Sequence, residues 1–142
     1  MSLFSSMQVS ASGMSAQRMR AEMLVENMAN AETTRTPEGG PYKRKDVVFS
    51  TDRQASPFSA VFQNELSEGV RVADVIVDQR PPELRYLPGH PDADANGYVA
   101  FPNMNPAEEM VDLMSATRSY QGNIAAMSAV KDMINRSIDL LR

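Results

Sequence analysis

Apolar residues recur every seven positions at both ends of the chain. Near the start, Phe4, Ala11, Arg18 and Val25 share one position of the repeat, and Met7, Met14, Ala21 and Met28 share the other. The mean spacing is about 3.5 residues, that of a coiled-coil seam, interrupted once by Arg18. Ser10, Ser12 and Gly13 weaken helix propensity early in the segment. The pattern predicts a helix from about Ser5 to about Asn30, and Pro37 closes off any extension.

The second repeat is stronger. Leu113, Tyr120, Met127, Ile134 and Leu141 form one row; Met110, Thr117, Ile124, Lys131 and Ile138 form the other. Asn105-Pro106-Ala107-Glu108 opens it as a helix should open. Asn105 caps, Pro106 suits the first helical position, and Glu108 is placed to reach back in a capping box. Ala116, Ala126, Val130, Met133 and Leu140 widen the apolar face beyond what one thin partner covers. Gly122 is the single interior glycine and costs about 1 kcal/mol against alanine.

Between the repeats the periodicity changes. Tyr42 to Phe49, Val70 to Val77, and Tyr98 to Phe101 after an Asn96-Gly97 turn are strand candidates. Pro81-Pro82, Pro88-Gly89 and Pro91 mark loops. Residue types sort the same way. All nine prolines lie from Pro37 to Pro106, seven of nine aromatics lie in the middle (Phe58 and Phe62 among them), and methionine collects at the two ends. The expected fold is α+β: long terminal helices forming a coiled-coil-like pair or layer, with a small β-rich insert. The expected segments are residues 1–36, 37–104 and 105–142.

A final helix of about 36 residues would be roughly 54 Å long. A compact globule of this chain length is only about 37 Å across. Such a helix overhangs its own domain, and a two-helix seam is a thin core. Either neighbouring chains supply the missing burial, so that the protein polymerises or docks through its ends, or both helices pack on the β insert. Periodicity leaves both open.

Composition narrows the chemistry. The 142 residues carry 14 basic and 18 acidic side chains, a net charge of −4, and no cysteine. Disulfides, thiol catalysis and cysteine-bound metal are excluded, and a general nucleic-acid or anionic-membrane binder is not expected. His90 is the only histidine, so no multi-histidine metal site exists. No apolar run is long enough to span a bilayer, and no signal-peptide pattern is seen. Asp92-Ala93-Asp94-Ala95-Asn96-Gly97 begins like a calcium loop, but the twelfth position is Asn103 rather than a bidentate glutamate, so a polar turn into a strand is the better reading. Lys43-Arg44-Lys45 reads as a solvated strand edge, and Glu108-Glu109 as acids favoured at a helix N-terminus. Neither a nucleophile elbow nor a phosphate loop is present. No catalytic residue, cofactor or metal is expected.

The two ends of the chain and the loop before the last helix carry a resemblance. Ser10-Ala-Ser-Gly-Met-Ser-Ala-Gln-Arg18, with Glu26-Asn-Met-Ala-Asn-Ala31 and Thr33-Thr-Arg35, resembles the N-terminal motif of bacterial flagellar rod and hook proteins. Thr36 to Phe49, His90-Pro-Asp-Ala-Asp-Ala-Asn-Gly-Tyr-Val-Ala-Phe-Pro-Asn-Met-Asn105, Glu109-Met-Val-Asp112 and Ser119-Tyr-Gln121 narrow it to the proximal rod subunits. Glu32 and Gly122 depart from common family residues, and residues 50–69 carry little of the motif. The resemblance implies a non-enzymatic subunit of the drive shaft between motor and hook, crossing the periplasm and exported by the flagellar type III apparatus without a cleaved signal peptide. It implies terminal segments that order on assembly. Implied partners are further copies of the chain and rod proteins of the FlgB, FlgF, FlgG and FliE types, with no nucleic acid and no membrane insertion. The candidate assembly interface is Phe4, Met7, Ala11, Met14, Ala21, Val25, Met28, Met110, Leu113, Tyr120, Ile124, Met127, Ile134, Ile138 and Leu141. A soluble helical adaptor or export chaperone gripping a partner through the same helices is the alternative.

Overall fold

The computed structural model describes residues 3–52 and 69–140; Leu141, Phe58 and Phe62 lie outside them. Helix α1 spans Leu3–Ala29 and helix α2 spans Pro106–Asp139. Between them come strands β1 (Lys45–Asp52), β2 (Gly69–Val77), β3 (Glu83–Tyr86) and β4 (Tyr98–Phe101). The architecture is the expected α+β one: two long helices flanking a small antiparallel β region.

The start of α2 and the end of α1 each have a local cause. The Asn105 side chain accepts the Ala107 N–H at 3.0 Å, and Pro106 occupies the first turn. Glu108 does not complete a capping box through the backbone; its carboxylate meets the Asn105 side-chain amide at 3.4 Å instead. Glu108 and Glu109 face the positive end of the helix dipole. α1 ends at Ala29, where Asn30, Ala31 and Thr33 turn the chain back on its own carbonyls.

The strands form two separate ribbons. β1 pairs with β2, Lys45 opposite Val77 through Asp52 opposite Gly69, with a bulge between Val48 and Phe49. β3 pairs with β4, Glu83 opposite Phe101 and Tyr86 opposite Tyr98. Glu83–Tyr86 is not among the strand candidates of the sequence. Prolines bound it closely, and its pairing with a strand twelve residues away carries no local signal. β1 starts at Lys45 rather than Tyr42 because the Tyr42 N–H is bound to the Thr33 carbonyl at 3.0 Å.

The first ribbon lies against α1. Ser12 Oγ accepts the Val70 N–H at 3.0 Å while donating to the Val9 carbonyl at 2.8 Å. A Cβ on Gly69 would stand 2.8 Å from that oxygen, so only glycine lets the strand come so near. The second ribbon covers its own small core. Val99 and Phe101 are buried, with Arg85 over the Phe101 ring at 4.8 Å. Tyr86 and Tyr98 meet edge to face on the other side, 5.4 Å apart. Gly97, at φ 83°, completes the preceding turn, where a Cβ would meet the Tyr86 ring at 2.9 Å.

The two helices run antiparallel. Asn27 meets Glu109, Arg20 meets Asp112, and Gly13 lies against Asn123. Residues buried along them are Ala16, Leu24 and Asn27 on α1 and Glu109, Ala116 and Val130 on α2. Small residues let the backbones approach closely, as at Gly13. No described helix is long and apolar enough to cross a membrane.

Candidate assembly surfaces and the polar joint that aligns them

At the closed end of the helix pair a polar cluster stands where a core would be expected. Asn27 is fully buried. Its Nδ2 donates to the Lys45 carbonyl at 2.8 Å and to Glu109 Oε2 at 3.0 Å. Its Oδ1 accepts the Lys45 N–H and the Tyr42 hydroxyl, both at 3.0 Å. Two donors and two acceptor positions are thus all used. The amide acts as a neighbouring strand would, bonding both backbone groups of Lys45 and so tying the start of β1 to the end of α1.

Glu109, only 2% exposed, closes the cluster from α2. Its Oε1 accepts from Arg44 Nε at 2.5 Å. Arg44 also reaches Asp46 at 3.3 Å, and Asp112 lies 4.0 Å from it on the far side. Arg20 binds Asp112 at 3.3 Å, and Lys45 Nζ binds Glu26 at 2.6 Å. Burial works against the Arg44 cation, but the hydrogen bond and charge of Glu109, with Asp46 behind, hold its pKa above the ordinary arginine value. Burial foremost, then the negative charges of Glu26 and Glu109, push the Tyr42 hydroxyl up to about 12.

Sequence pattern alone did not find this joint. Lys43-Arg44-Lys45 read as a solvated edge, yet the Arg44 side chain is largely covered and paired. Glu109 read as a dipole partner on a helix surface, yet it is a buried ion-pair member. Asn27 stood out only as part of the Glu26–Ala31 motif, with no sign that it is buried. A buried polar group is visible only through its partners, here 15 to 82 residues away.

A second clamp joins two of the motif stretches. Asp92 accepts the Thr34 hydroxyl at 2.8 Å and lies 3.9 Å from Arg35. The Asp94 carboxylate accepts the backbone N–H groups of Asn96 and Tyr98, each at 2.8 Å. The calcium-like run is thus a hydrogen-bonded turn. His90 Nδ1 accepts the Asp92 N–H at 3.1 Å, and the ring stands edge-on to Phe101. Among the described residues no group of three or more histidine, aspartate or glutamate side chains gathers as a metal site would.

The candidate interface residues divide by exposure. Phe4 is 76% exposed and Val25 53%, with Ala11 exposed between them, so this row of α1 faces outward. On α2, Met110, Ile124 (47%) and Ile138 (54%) are exposed, as is Tyr120. Met7, Met14, Ala21 and Met28, with Leu113, Met127 and Ile134, are half-buried. One row of each heptad pair is therefore partly covered within the subunit and the other is bare. Val111, Met114, Met133 and Leu140 add further exposed apolar area to α2. Exposed apolar area larger than scattered single residues is a feature that interaction surfaces share.

Comparison with known proteins bears on what covers them. Residues 95–140 match the family described as flagellar basal body rod FlgEFG protein C-terminal. Over its whole length the chain is similar to curated proteins named flagellar basal-body rod protein FlgC. It is 43% identical to that of Salmonella typhimurium, covering 99% of this chain and 98% of the relative. It is 40% identical to that of Borreliella burgdorferi, covering 100% and 99%. It is 40% identical to that of Bacillus subtilis, covering 99% of each.

Proposed function

The chain belongs to the FlgC family of flagellar basal-body rod proteins, and from that premise we propose that its bare helix rows are the surfaces by which it is built into the rod. It is a structural subunit of the basal body, assembling with other rod components and carrying torque. The observation that supports the assembly surfaces is the division of each helix: one row half-buried apart from Tyr120, the other exposed and apolar except at Arg18, Thr117 and Lys131. Phe4, Ala11 and Val25 on α1 and Met110, Tyr120, Ile124 and Ile138 on α2 make the contacts between subunits. The half-buried Met7, Met14, Ala21, Met28, Leu113, Met127 and Ile134 back them, and Leu141 joins the candidates by its place in the sequence repeat alone.

The residues 1–36 and 105–142 act as the assembling segments, and 37–104 holds their closed ends together. Contacts that repeat head to tail without closing build a filament, which a rod requires. Torque then loads many side-by-side helix contacts at once. The neighbours are further copies of the chain and rod proteins of the FlgB, FlgF, FlgG and FliE types. The route to the rod, across the periplasm, is the flagellar type III export apparatus, without a cleaved signal peptide and with no enzymatic step by this chain.

Ile124→Asp tests the reading. Ile124 is exposed in the subunit, so the substitution costs the isolated chain little; between subunits it buries an unpaired charge. The expected result is a variant with unchanged helicity that is absent from isolated basal bodies and does not support swimming. Normal swimming, or a discrete soluble complex with a partner in place of incorporation, contradicts it.

A further inference from the structure

We infer that Asp74, with Asp46 and Gln79, closes the edges of the first ribbon to strand addition, so that copies of the chain do not join strand to strand. This holds whichever surfaces build the rod. The hazard lies in β2. Residues 73–77 are exposed without a break, and Val75, Ile76 and Val77 place apolar groups on both faces of the strand. No proline interrupts β1 or β2, and among the described residues no third strand covers either one. A bare apolar edge of this kind is a template for pairing with another copy.

The pairing fixes which backbone groups face out. The Asn27 side chain bonds both the N–H and the carbonyl of Lys45, so these point away from β2. Inward and outward residues alternate along an antiparallel pair. Val77, opposite Lys45, therefore also points outward, as do Val47 and Val75, opposite each other. The Asp78 N–H, bound inward to the Arg44 carbonyl at 2.8 Å, keeps the alternation. Nearby side chains reach these outward groups. Asp74 Oδ1 accepts the Val75 N–H at 2.8 Å, and Asp46 Oδ1 accepts the Val47 N–H at 2.8 Å. The Gln79 amide donates to the Val77 carbonyl at 3.2 Å. Just before Asp74 the bulge breaks the register of the strand, and at Val70 Ser12 already holds the outward N–H. An arriving strand would have to displace a carboxylate at either edge. Where two β2 edges met, Asp74 of one copy would also face a like charge on the other.

Asp74→Ala in the full chain is the test. It uncovers the Val75 N–H at an exposed position, so helicity should be unchanged. Asp74→Asn removes the charge but keeps an oxygen for that N–H. Both are compared with the parent by sedimentation across concentration and by the infrared band of strands paired between molecules, which helix contacts do not produce. Two N–H groups are released per pair of copies, each hydrogen bond worth roughly a factor of five. Asp74→Ala should therefore associate at a concentration on the order of tenfold lower than the parent, with the strand band rising. Asp74→Asn should follow the parent. Val75→Pro added to Asp74→Ala deletes the outward N–H, a change an edge strand tolerates, and should restore the parent's behaviour. Asp74→Ala that sediments as the parent does overturns this role of Asp74. So does equal association of Asp74→Ala and Asp74→Asn, which would leave charge alone as the barrier. Strand association that persists in Asp74→Ala/Val75→Pro overturns it too, and loss of helicity in Asp74→Ala would place the carboxylate's role in the fold rather than at the edge.

Discussion

Asn27→Ala removes the centre of the joint. Four hydrogen bonds go with the side chain: to the Lys45 carbonyl, the Lys45 N–H, the Tyr42 hydroxyl and Glu109. The three neutral ones contribute about 1 kcal/mol each, and the one to the carboxylate about 1.5–3 kcal/mol. Water entering beside β1 recovers part of the loss, so the expected destabilisation is about 3–5 kcal/mol. Asn27→Asp serves as the companion, because it removes almost no volume. It turns an oxygen toward the Lys45 carbonyl and the Glu109 carboxylate, two acceptors facing a third, and should destabilise at least as much. The assay is urea denaturation of the full chain followed by helical circular dichroism, with both variants beside the parent. A loss below about 1 kcal/mol for Asn27→Ala would refute the reasoning, since unsatisfied buried groups of this kind are not so cheap.

Three further outcomes follow from the same contacts. Gly122→Ala should raise stability by about 0.5–1 kcal/mol, because its Cβ would meet nothing within 4 Å, whereas Gly13→Ala should not, its Cβ meeting Asn123 at 3.1 Å; thermal melts of the two separate them. The Tyr42 hydroxyl ionises at about 12 in the fold against 10.0 ordinarily; between those values the unfolded chain sheds a proton the folded chain keeps, so stability should be intact below pH 10 and fall as pH rises through the window, and in Tyr42→Phe this part of the alkaline loss should vanish, as read by denaturation across pH. Gln17 Oε1 is buried without a hydrogen-bond partner among the described residues, so Gln17→Met should be neutral or stabilising by up to about 1 kcal/mol in a urea melt.

How much of this was legible in the chain depends on the range of the forces. Helix α2 could be read almost to its ends because its signals are local: Asn105 and Pro106 at the start and, beyond, an apolar repeat interrupted only at Thr117 and Lys131. The α1 repeat was equally plain, but the heaviest residues were a poor guide to what the subunit buries. Phe4 and Val25 point outward, while Ala16 and Leu24, which lie off both seven-residue rows, are covered; at Ala16 close helix approach selects a small side chain. β3 was hidden between prolines, its partner being a strand whose pairing no local pattern encodes. Glu109 and Arg44 each look like surface charges alone; only the fold brings them together.

The central claim is that the bare rows of α1 and α2 are closed by neighbouring subunits. Since the chain holds no cysteine, Val25→Cys, Ile124→Cys and Ile138→Cys can each be placed singly and treated with a maleimide, once on the free chain and once in isolated basal bodies. Rapid labelling of the free chain with strong protection in the basal body is the result expected. Equal labelling in both states at all three positions would mean that these rows face solvent in the rod and that assembly runs through some other surface.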